Sequence, residues 1–197
     1  MQLHKRDVVA KAAAILDSYG IADLTMRRVA RELDVTPGAL YWHFANKQEL
    51  LGAVADRVLA PSCADPELTG WRMRIEVVCR ALRDALLSHT DGAELVSASF
   101  AAGQSRAVEQ LLGVLAEAAG EAGVDAAHRV QAARTVLHYV LGATADEQSR
   151  LQWDAAGAEL PEHQSVLSGD PSAGFAFGLR LLTDGLAAQR VSSTESG

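Results

Sequence analysis

The break at Thr36-Pro37 constrains the fold of this chain more than any other feature of its sequence. Proline has no backbone N–H, so it fits the first position of a helix and ends a helix that would run through it. Threonine directly before it is a favoured N-cap residue, because its hydroxyl can accept a hydrogen bond from the first helical turn. The sequence therefore predicts that one helix ends before Thr36 and that another begins at Pro37.

Two helices are predicted before this break. Apolar residues spaced three and four apart indicate an amphipathic helix over residues 5–19, which Gly20 ends. Thr25 is expected to cap a second helix of about two turns, with its apolar residues facing inward. The first helix is long enough to brace the second.

A third helix is predicted from Pro37 to Phe44, and a longer fourth helix is predicted over residues 47–59. On the third helix Leu40 and Phe44 share one face and are expected to pack inward. Two short helices joined by a tight turn, with a third helix bracing them, form a helix-turn-helix whose second helix enters the DNA major groove. Residues 1–48 are therefore predicted to form a DNA-binding head.

Candidate DNA contacts are the outward-facing residues of this third helix and the cations on either side of it. Aromatic rings with polar tips can pack on sugar and donate to phosphate, and Lys and Arg neutralise phosphate. Arg27 is expected to read a guanine. Either Tyr41 or Trp42 could instead be packed partly into the core. The candidate DNA-binding residues are Arg27, Arg28, Thr36, Pro37, Gly38, Ala39, Tyr41, Trp42, His43 and Lys47.

The distribution of charge supports contact with DNA at the head alone. The net charge of −7 divides into +1 over residues 1–50 and −8 over the rest, and all three lysines lie in the first 50 residues. Because like charges repel, the acidic body is expected to keep DNA away from its own surface. This pattern argues against a protein that wraps DNA nonspecifically.

The body is predicted to be helical throughout, which makes the fold class all-α. Amphipathic patterns predict helices near residues 71–89, 93–100, 105–122, 126–151 and 173–189, with a long mobile loop over 153–171. No apolar run reaches the roughly 18 residues needed to cross a membrane, so a cytoplasmic protein is expected. The predicted divisions are the head, a connecting helix and hinge at 49–66, a ligand-binding and dimerisation domain at 67–190, and a disordered tail at 191–197.

Four runs of the sequence resemble one known family. LTMRRVARELDVTPGALYWHFANKQELL, residues 24–51, is similar to the head of the tetracycline-repressor family, including its YWHF and NK elements. ALLSHTDGA at 85–93, LHYVLGATADEQ at 137–148 and FAFGLRLLTDGLAAQ at 175–189 are similar to segments of that family's C-terminal domain. The resemblance implies a transcriptional repressor that binds double-stranded DNA. An activator is the alternative, because the sign of regulation depends on where the operator lies relative to the promoter. It also implies a homodimer that responds to a small-molecule effector.

The resemblance places the dimer contact on the last two long helices, which would form a four-helix bundle with their copies. Apolar stripes on both helices agree with this, and Gly174 and Gly178 would allow close helix packing. Packing of these stripes within one protomer is the alternative. The candidate interface residues are Val130, Leu137, Leu141, Phe175, Gly178, Leu179, Leu182 and Leu186.

An effector pocket among the body helices is also implied, but its chemistry departs from the tetracycline-binding members. Val78, Val96 and Leu111 stand where those members carry polar and magnesium-ligating side chains, and a lone Asp146 makes a poor magnesium site. A hydrophobic or aromatic effector is expected, without a metal or other cofactor. The candidate residues, each of which could equally be ordinary core, are Val78, Leu82, Val96, Ser99, Phe100, Leu111, Leu115, His138 and Asp146.

Two rival functions compete with this prediction. An enzyme is suggested by Ser88, His89 and Asp91, but neighbours in sequence at a helix end are poorly placed to relay a proton. We therefore expect no catalysis, and His89 is expected to stabilise the C-terminal end of its helix. A dimeric DNA-binding protein without any effector is the second rival.

Overall fold

The predicted all-α fold is confirmed. The computed structural model describes residues 3–63, 70–158, 161, 165, 166 and 169–192. Within these ranges the secondary structure is helical and contains no strand. In chain order the helices are α1 Lys5–Tyr19, α2 Met26–Glu32, α3 Pro37–Tyr41, α4 Lys47–Leu59, a 3-10 helix Ala60–Cys63, α5 Trp71–Leu87, α6 Gly92–Ala102, α7 Arg106–Ala122, α8 Arg129–Ala155 and α9 Pro171–Ser192.

Local signals in the sequence fix the ends of the first two helices as predicted. Gly20 closes α1 with a positive φ of 78°, and its N–H donates to the carbonyl oxygen of Leu16 at 2.8 Å. The Thr25 hydroxyl caps α2 by accepting from the Arg28 N–H at 3.2 Å. The small core beneath these helices is fully buried and consists of Val8, Leu16, Leu24, Val29, Leu40, Phe44 and Leu50.

The turn between α2 and α3 is closed by an aspartate in the left-handed region. Asp34 has a φ of 53°. The Val35 N–H reaches back to the Ala30 oxygen at 3.0 Å, and the Asp34 N–H reaches the Arg31 oxygen at 3.2 Å. This pair of bonds is the Schellman arrangement, in which glycine usually occupies the left-handed position and aspartate is tolerated. The turn orients α3 relative to α2.

Helix α3 is shorter than the predicted Pro37–Phe44. Its regular part ends at Tyr41, and a final turn follows in which Phe44 N–H donates to the Leu40 oxygen at 2.9 Å. The chain must leave the helical conformation there because Asn46 takes an extended backbone to cap α4. Phe44 nevertheless packs inward beside Leu40, as predicted.

Helix α4 joins the head to the body through a close contact with the segment between α6 and α7. Gly52 lies against Gln104, and a Cβ added to Gly52 would overlap the carbonyl oxygen of Gln104. One turn later Asp56 Oδ1 accepts from the Ser105 hydroxyl at 2.7 Å and from the Ala107 N–H at 3.0 Å. Asp56 therefore helps to cap the N-terminus of α7. These contacts fix the position of α4 on the body.

The body core lies between α5, α6, α7 and α8. An almost fully buried ion pair crosses it: the Arg83 guanidinium donates through Nε and Nη2 to both carboxylate oxygens of Glu147, at 2.9 and 2.7 Å. Two parallel bonds hold the planes of the two groups together, so α5 and α8 have a defined register. The largest apolar side chains around it are Ile75, Leu82, Leu86, Leu95, Leu111 and Leu115.

Polar contacts attach α9 to the other body helices. Arg72 on α5 donates to the Thr183 hydroxyl at 2.8 Å and to the Asp184 carboxylate at 2.7 Å. The Tyr139 hydroxyl on α8 donates to the carbonyl oxygen of Phe175 at 2.7 Å, and the two rings stack with centroids 5.6 Å apart. Helix α9 is thus part of the protomer's own core.

The remaining boundaries differ from the predictions by a few residues. Helix α8 continues through Ala155 and α9 already begins at Pro171, so both ends of the predicted 153–171 loop are helical. Helix α9 also runs through Ser192, into the predicted tail. The rest of that tail, the end of the hinge and part of the loop lie outside the described residues. No helix in the described part of the chain is long and apolar enough to span a membrane.

A glycine-to-alanine pair tests the contact between α4 and the α6–α7 segment. Alanine usually stabilises a helix interior by about 1 kcal/mol relative to glycine. At Gly52 we expect the opposite, a loss of about 1–3 kcal/mol in the free energy of unfolding, because the new methyl group meets backbone that cannot rotate away. Gly113→Ala on α7, where a Cβ meets nothing within 4 Å, is the control and should stabilise. Urea unfolding measures both; a Gly52→Ala protein as stable as wild type would contradict this packing.

Candidate nucleic-acid interface and effector site

The recognition helix α3 presents large aromatic side chains to solvent. Tyr41 is 54% exposed and Trp42 is 91% exposed, whereas Leu40 on the opposite face is fully buried. The possible burial of either ring in the core is therefore not observed. Of the other predicted DNA contacts on this helix, Thr36, Pro37 and Gly38 are exposed, and Ala39 and His43 are half-buried. Thr36 occupies the N-cap position, but its side chain makes no cap hydrogen bond.

The segment after α3 is held by a capping box at the start of α4. Asn46 Oδ1 accepts from the Glu49 N–H at 2.8 Å, and Glu49 Oε2 accepts in return from the Ala45 N–H at 2.8 Å. Lys5 donates to the other Glu49 oxygen at 3.3 Å, with its ammonium 4.9 Å from the Phe44 ring centroid. The hydrogen bond from Ala45, followed by that from Lys5, lowers the pKa of Glu49 below its usual value. The carboxylate thus stays charged and ties α1, α3 and α4 together.

The cations around α3 fall into two groups. Arg27 is exposed and Lys47 is half-buried, and neither forms an ion pair within the described residues. Arg28 differs from the prediction: its guanidinium pairs with Asp23 and lies 3.8 Å from the centroid of the Tyr19 ring. Because these contacts satisfy its charge within the head, we leave Arg28 out of the proposed phosphate contacts.

Most of the predicted effector residues are ordinary core. Six of them are at most 3% exposed and lie in the continuous apolar core: Val78, Leu82, Val96, Ser99, Leu111 and Leu115. The Ser99 hydroxyl donates to the Leu95 oxygen at 2.9 Å within its own helix. None of the six lines any of the three cavities that we describe below. An apolar helix face has the same pattern whether it meets a ligand or another helix, so the sequence could not separate the two cases.

Two predicted effector residues, Phe100 and His138, do meet at a cavity. It has a volume of about 580 Å³ and lies between the C-terminal end of α6 and the middle of α8. The two rings are 5.6 Å apart with a tilt of 50°, and the Arg134 guanidinium lies 4.8 Å from the Phe100 ring centroid. The remaining lining residues are Ser97, Ala101, Ala102, Gly103, Leu141 and Gly142, so no carboxylate of the described residues lines the cavity. We call it the α6–α8 cavity.

Arg134 is a candidate site residue that the sequence prediction missed. It lies one helical turn before His138, a spacing that places both side chains on one side of α8. That spacing was the available signal. In the described part of the chain Arg134 has no ion-pair partner, so its charge faces the α6–α8 cavity uncompensated.

Asp146 lies at a different place from the other predicted effector residues. It pairs with Arg150 at 2.6 Å and lines a cavity of about 370 Å³ between α8 and α9. Tyr139, Glu147 and Asp170 also line this cavity, which is therefore acidic. Among the described residues no cluster of three or more His, Cys, Asp or Glu side chains is arranged to hold a metal ion.

About half of the predicted dimer residues face the protomer's own core. Four of them are nearly fully buried: Leu137, Leu141, Phe175 and Leu179. Gly178 lies against Tyr139, while Leu182 and Leu186 are half-buried and line a third cavity of about 410 Å³ between α8 and α9. The four buried residues and Gly178 therefore pack within the protomer, while a dimer contact through Leu182 and Leu186 stays a prediction. The apolar side chains left exposed on α8 and α9 include Val130 at 61%, Phe177 at 56% and Leu181 at 58%.

Comparisons with known proteins agree with this architecture. Residues 8–54 match the family described as bacterial regulatory proteins, tetR family, and residues 64–190 match the tetracyclin repressor-like C-terminal domain. The chain is 32% identical to the tetracycline repressor protein class A from transposon 1721 of Escherichia coli, over 96% of this chain and 93% of that protein.

Solved structures are similar over nearly the whole chain. Mycobacterium smegmatis BioQ is 64% identical, with a TM-score of 0.89 over 95% of this chain and 99% of that one. BioQ crystallised with its natural double-stranded DNA operator is 61% identical, with a TM-score of 0.83 and the same coverage. The helix-turn-helix head, the helical body and these similarities together show that the chain belongs to the tetR family of bacterial regulatory proteins.

Proposed function

We propose that this chain is a homodimeric transcriptional repressor that binds a palindromic operator through α3 and leaves it when an aromatic acid occupies the α6–α8 cavity. The observation that carries the proposal is the surface of the head. Tyr41 and Trp42 project from a short helix that is flanked by the uncompensated cations Arg27 and Lys47. Operator DNA lies in the cytoplasm, which is therefore where the protein acts.

The exposed face of α3 suits the major groove. A groove about 12 Å wide admits one helix, whose ends lie beside the phosphates of both strands. Arg27 precedes α3 and Lys47 follows it, so the two cations are placed to contact backbone on either side. The small side chains of Pro37, Gly38 and Ala39 let the helix approach base edges closely. Similarity to BioQ, which was solved with its operator, supports this mode of binding.

The exposed apolar residues of α8 and α9 form the proposed dimer interface. Val130, Phe177 and Leu181 are each more than half exposed, so α8 and α9 both leave large apolar side chains on the surface. A second copy related by a two-fold axis would cover the same residues on both subunits. The axis also relates the two heads, and this explains why a palindromic operator is expected.

The α6–α8 cavity suits an aromatic acid. Phe100 and His138 offer ring faces for stacking, and Arg134 offers a planar guanidinium that can hold a carboxylate with two parallel bonds. The body carries a net charge of −8, yet none of the described carboxylates lines this cavity. The cavity therefore selects against cations and favours an anionic, planar ligand.

The location of the cavity explains how its occupation can reach the head. Its wall includes Gly103, the residue that ends α6, and Gln104 and Ser105 follow directly. Those two residues contact Gly52 and Asp56 on α4. A ligand that prefers a displaced α6 end will therefore favour a displaced α4, and the shift is limited by its differential affinity for the two positions.

We propose no catalytic role for Ser88, His89 and Asp91. The Ser88 hydroxyl donates to the Ala85 oxygen at 2.7 Å within its own turn, and His89 Nδ1 lies 2.9 Å from Asp17. Asp91 accepts from the backbone N–H of Ile21. Each group thus holds a structural partner, and the three do not point at a common reacting atom.

Selection from a random duplex pool tests the DNA-binding proposal. We expect a palindromic site whose affinity falls steeply with salt. Lys47→Ala should weaken binding to selected and random DNA alike and reduce the slope of log affinity against log salt by about 0.9, the value for one lost phosphate contact. Arg27→Ala should also relax the preference at one base pair. Arg57→Ala, an exposed cation at the far end of α4, is the matched control; an equal effect there would contradict the interface.

Sedimentation velocity tests the dimer interface. Leu181→Glu places a charge in the centre of the apolar surface, and burying it in the dimer would cost several kcal/mol, so we expect monomers. Met73→Glu, the same kind of change at an exposed position on α5, should leave the dimer intact. A stable dimer of the Leu181→Glu protein would locate the interface elsewhere.

Thermal shift and operator release test the effector site. Benzoate and 2-naphthoate should raise the Tm and release the selected operator, while their neutral amides should do neither, because Arg134 needs an anion. Arg134→Gln should abolish the difference between acid and amide, and Arg80→Gln on the exposed face of α5 should not. Equal responses to acids and amides would contradict the assigned ligand class. A wild-type protein that binds its operator but responds to no acid would favour the constitutive rival.

A further inference from the structure

The loop between α5 and α6, residues 88–92, is attached both to the head and to α8. Asp91 is its central residue and has a φ of 52°, in the left-handed region that few residues other than glycine adopt. Such a conformation costs free energy and persists where surrounding contacts stabilise it. Contacts of the Asp91 carboxylate supply this stabilisation.

Each Asp91 carboxylate oxygen accepts from a different part of the molecule. Oδ2 accepts from the backbone N–H of Ile21, in the turn that follows α1 of the head, at 3.0 Å. Oδ1 accepts from the side-chain amide of Gln152 on α8 at 2.8 Å. One side chain thus connects the DNA-binding head to the longest helix of the body, although the three residues are far apart in sequence.

Neighbouring contacts strengthen both attachments. On the head side, the Thr90 hydroxyl donates to the Asp17 carbonyl oxygen at 3.0 Å, and His89 Nδ1 lies 2.9 Å from the Asp17 carboxylate. On the body side, the buried Gln148 amide donates to the Leu86 and His89 oxygens at 3.0 and 2.8 Å, and accepts from the Ala93 N–H at 3.1 Å. The Gln148 side-chain amide therefore bonds His89 within this loop and the backbone on either side of it, at the end of α5 and the start of α6.

Gly20, at the end of α1, lies directly against the Asp91 side chain, and its backbone conformation favours glycine. A Cβ on Gly20 would lie 2.5 Å from Asp91 Oδ2. Gly20 also has a positive φ of 78°, as the end of α1 requires. The contact between the head and this loop is therefore a close approach of the Gly20 backbone to the Asp91 carboxylate, beside the hydrogen bond from Ile21.

We infer that residues 88–92 form a latch that fixes the orientation of the head relative to α8, and that Asp91 and Gln152 are positioning residues for operator binding. Helix α4 alone would leave the head attached along one helix, about which it could rotate. A second attachment, at the C-terminal end of α1, removes that rotation. Since α8 belongs to the proposed dimer interface, the latch sets the separation and angle of the two recognition helices. This inference rests on the proposed function.

Half-site spacing is the property that the latch controls. The two half-sites of such an operator are about 34–36 Å apart, and one inserted base pair moves and rotates one half-site by about a tenth of a helical turn. A latched dimer binds the operator with the insertion more weakly, because its heads cannot move to match the displaced and rotated half-site. An unlatched dimer binds both operators with similar, reduced affinity. A residue that merely stabilises the fold would not change this ratio.

A charge exchange between Asp91 and Gln152 provides the test. Gln152→Glu places a second carboxylate beside that of Asp91, so the hydrogen bond between the two side chains should be lost and the latch released. Asp91→Asn alone should keep it, because asparagine tolerates the left-handed region and the Gln152 amide can turn to accept from it. The double variant restores a donor opposite an acceptor and should close the latch again. Gln110→Glu, the same change at an exposed position on α7, is the matched control.

The measurement is affinity for the selected palindrome and for the same duplex with one central base pair inserted. We expect wild type, Asp91→Asn, Gln110→Glu and the double variant to prefer the native spacing by about tenfold or more, and Gln152→Glu by about threefold or less. Thermal unfolding verifies that Gln152→Glu remains folded. Should it lose the fold, Gly20→Ala replaces it, with Gly157→Ala as control for a similar positive φ without a nearby atom.

The outcomes separate the latch from the proposed function. If wild type selects no site with two half-sites, the proposed function fails and the latch with it. If wild type selects one and Gln152→Glu keeps the wild-type spacing ratio, the latch alone is overturned. Failure of the double variant to restore the ratio would likewise overturn the direct link between Asp91 and Gln152.

Discussion

The close approach of Gly52 to the Gln104 carbonyl is the contact on which the rest of this molecule depends. It brings α4 against backbone and not against flexible side chains, so movement of one is passed to the other. Asp56 adds a hydrogen-bonded cap on α7 one turn away. Because packed interiors deform little, a contact of this kind turns a change in the body into a displacement of the head. The cavity beside the end of α6 lies where such a displacement would begin.

Residues that begin and end helices let the sequence predict the helices of the head closely. The sequence does not determine what covers the apolar faces of the body helices. Pro37, Gly20 and Thr25 act through local backbone chemistry, which is the same in any fold. Leu137 and Leu179 were assigned to the dimer, yet both are buried within the protomer. An apolar stripe predicts that a helix face is buried. It does not indicate whether another helix, a ligand or a second chain buries it.

Side-chain contacts across a turn or between helices left no signal in the sequence. The pairing of Arg28 with Asp23 and Tyr19 removes a cation that the local pattern assigned to DNA. Arg83 and Glu147 are separated by 64 positions and form an ion pair between α5 and α8 that no sequence motif predicts. The same holds for Asp91, which the sequence suggested only as part of a catalytic set. Its left-handed backbone and two partners emerge from the tertiary fold.

The latch also bears on how such repressors exchange their parts during evolution. A head transplanted from a relative brings its own α1 turn, but residues 88–92 remain with the recipient body. Gly20 and Asp91 are then selected as a pair, although one belongs to the head and the other to the body. Recombination at the boundary near α4 preserves the fold of the head and of the body, but it disrupts the contact between the α1 turn and residues 88–92. Chimaeras are thus expected to inherit the donor's sequence preference with imperfect spacing, unless the α5–α6 loop travels with the head.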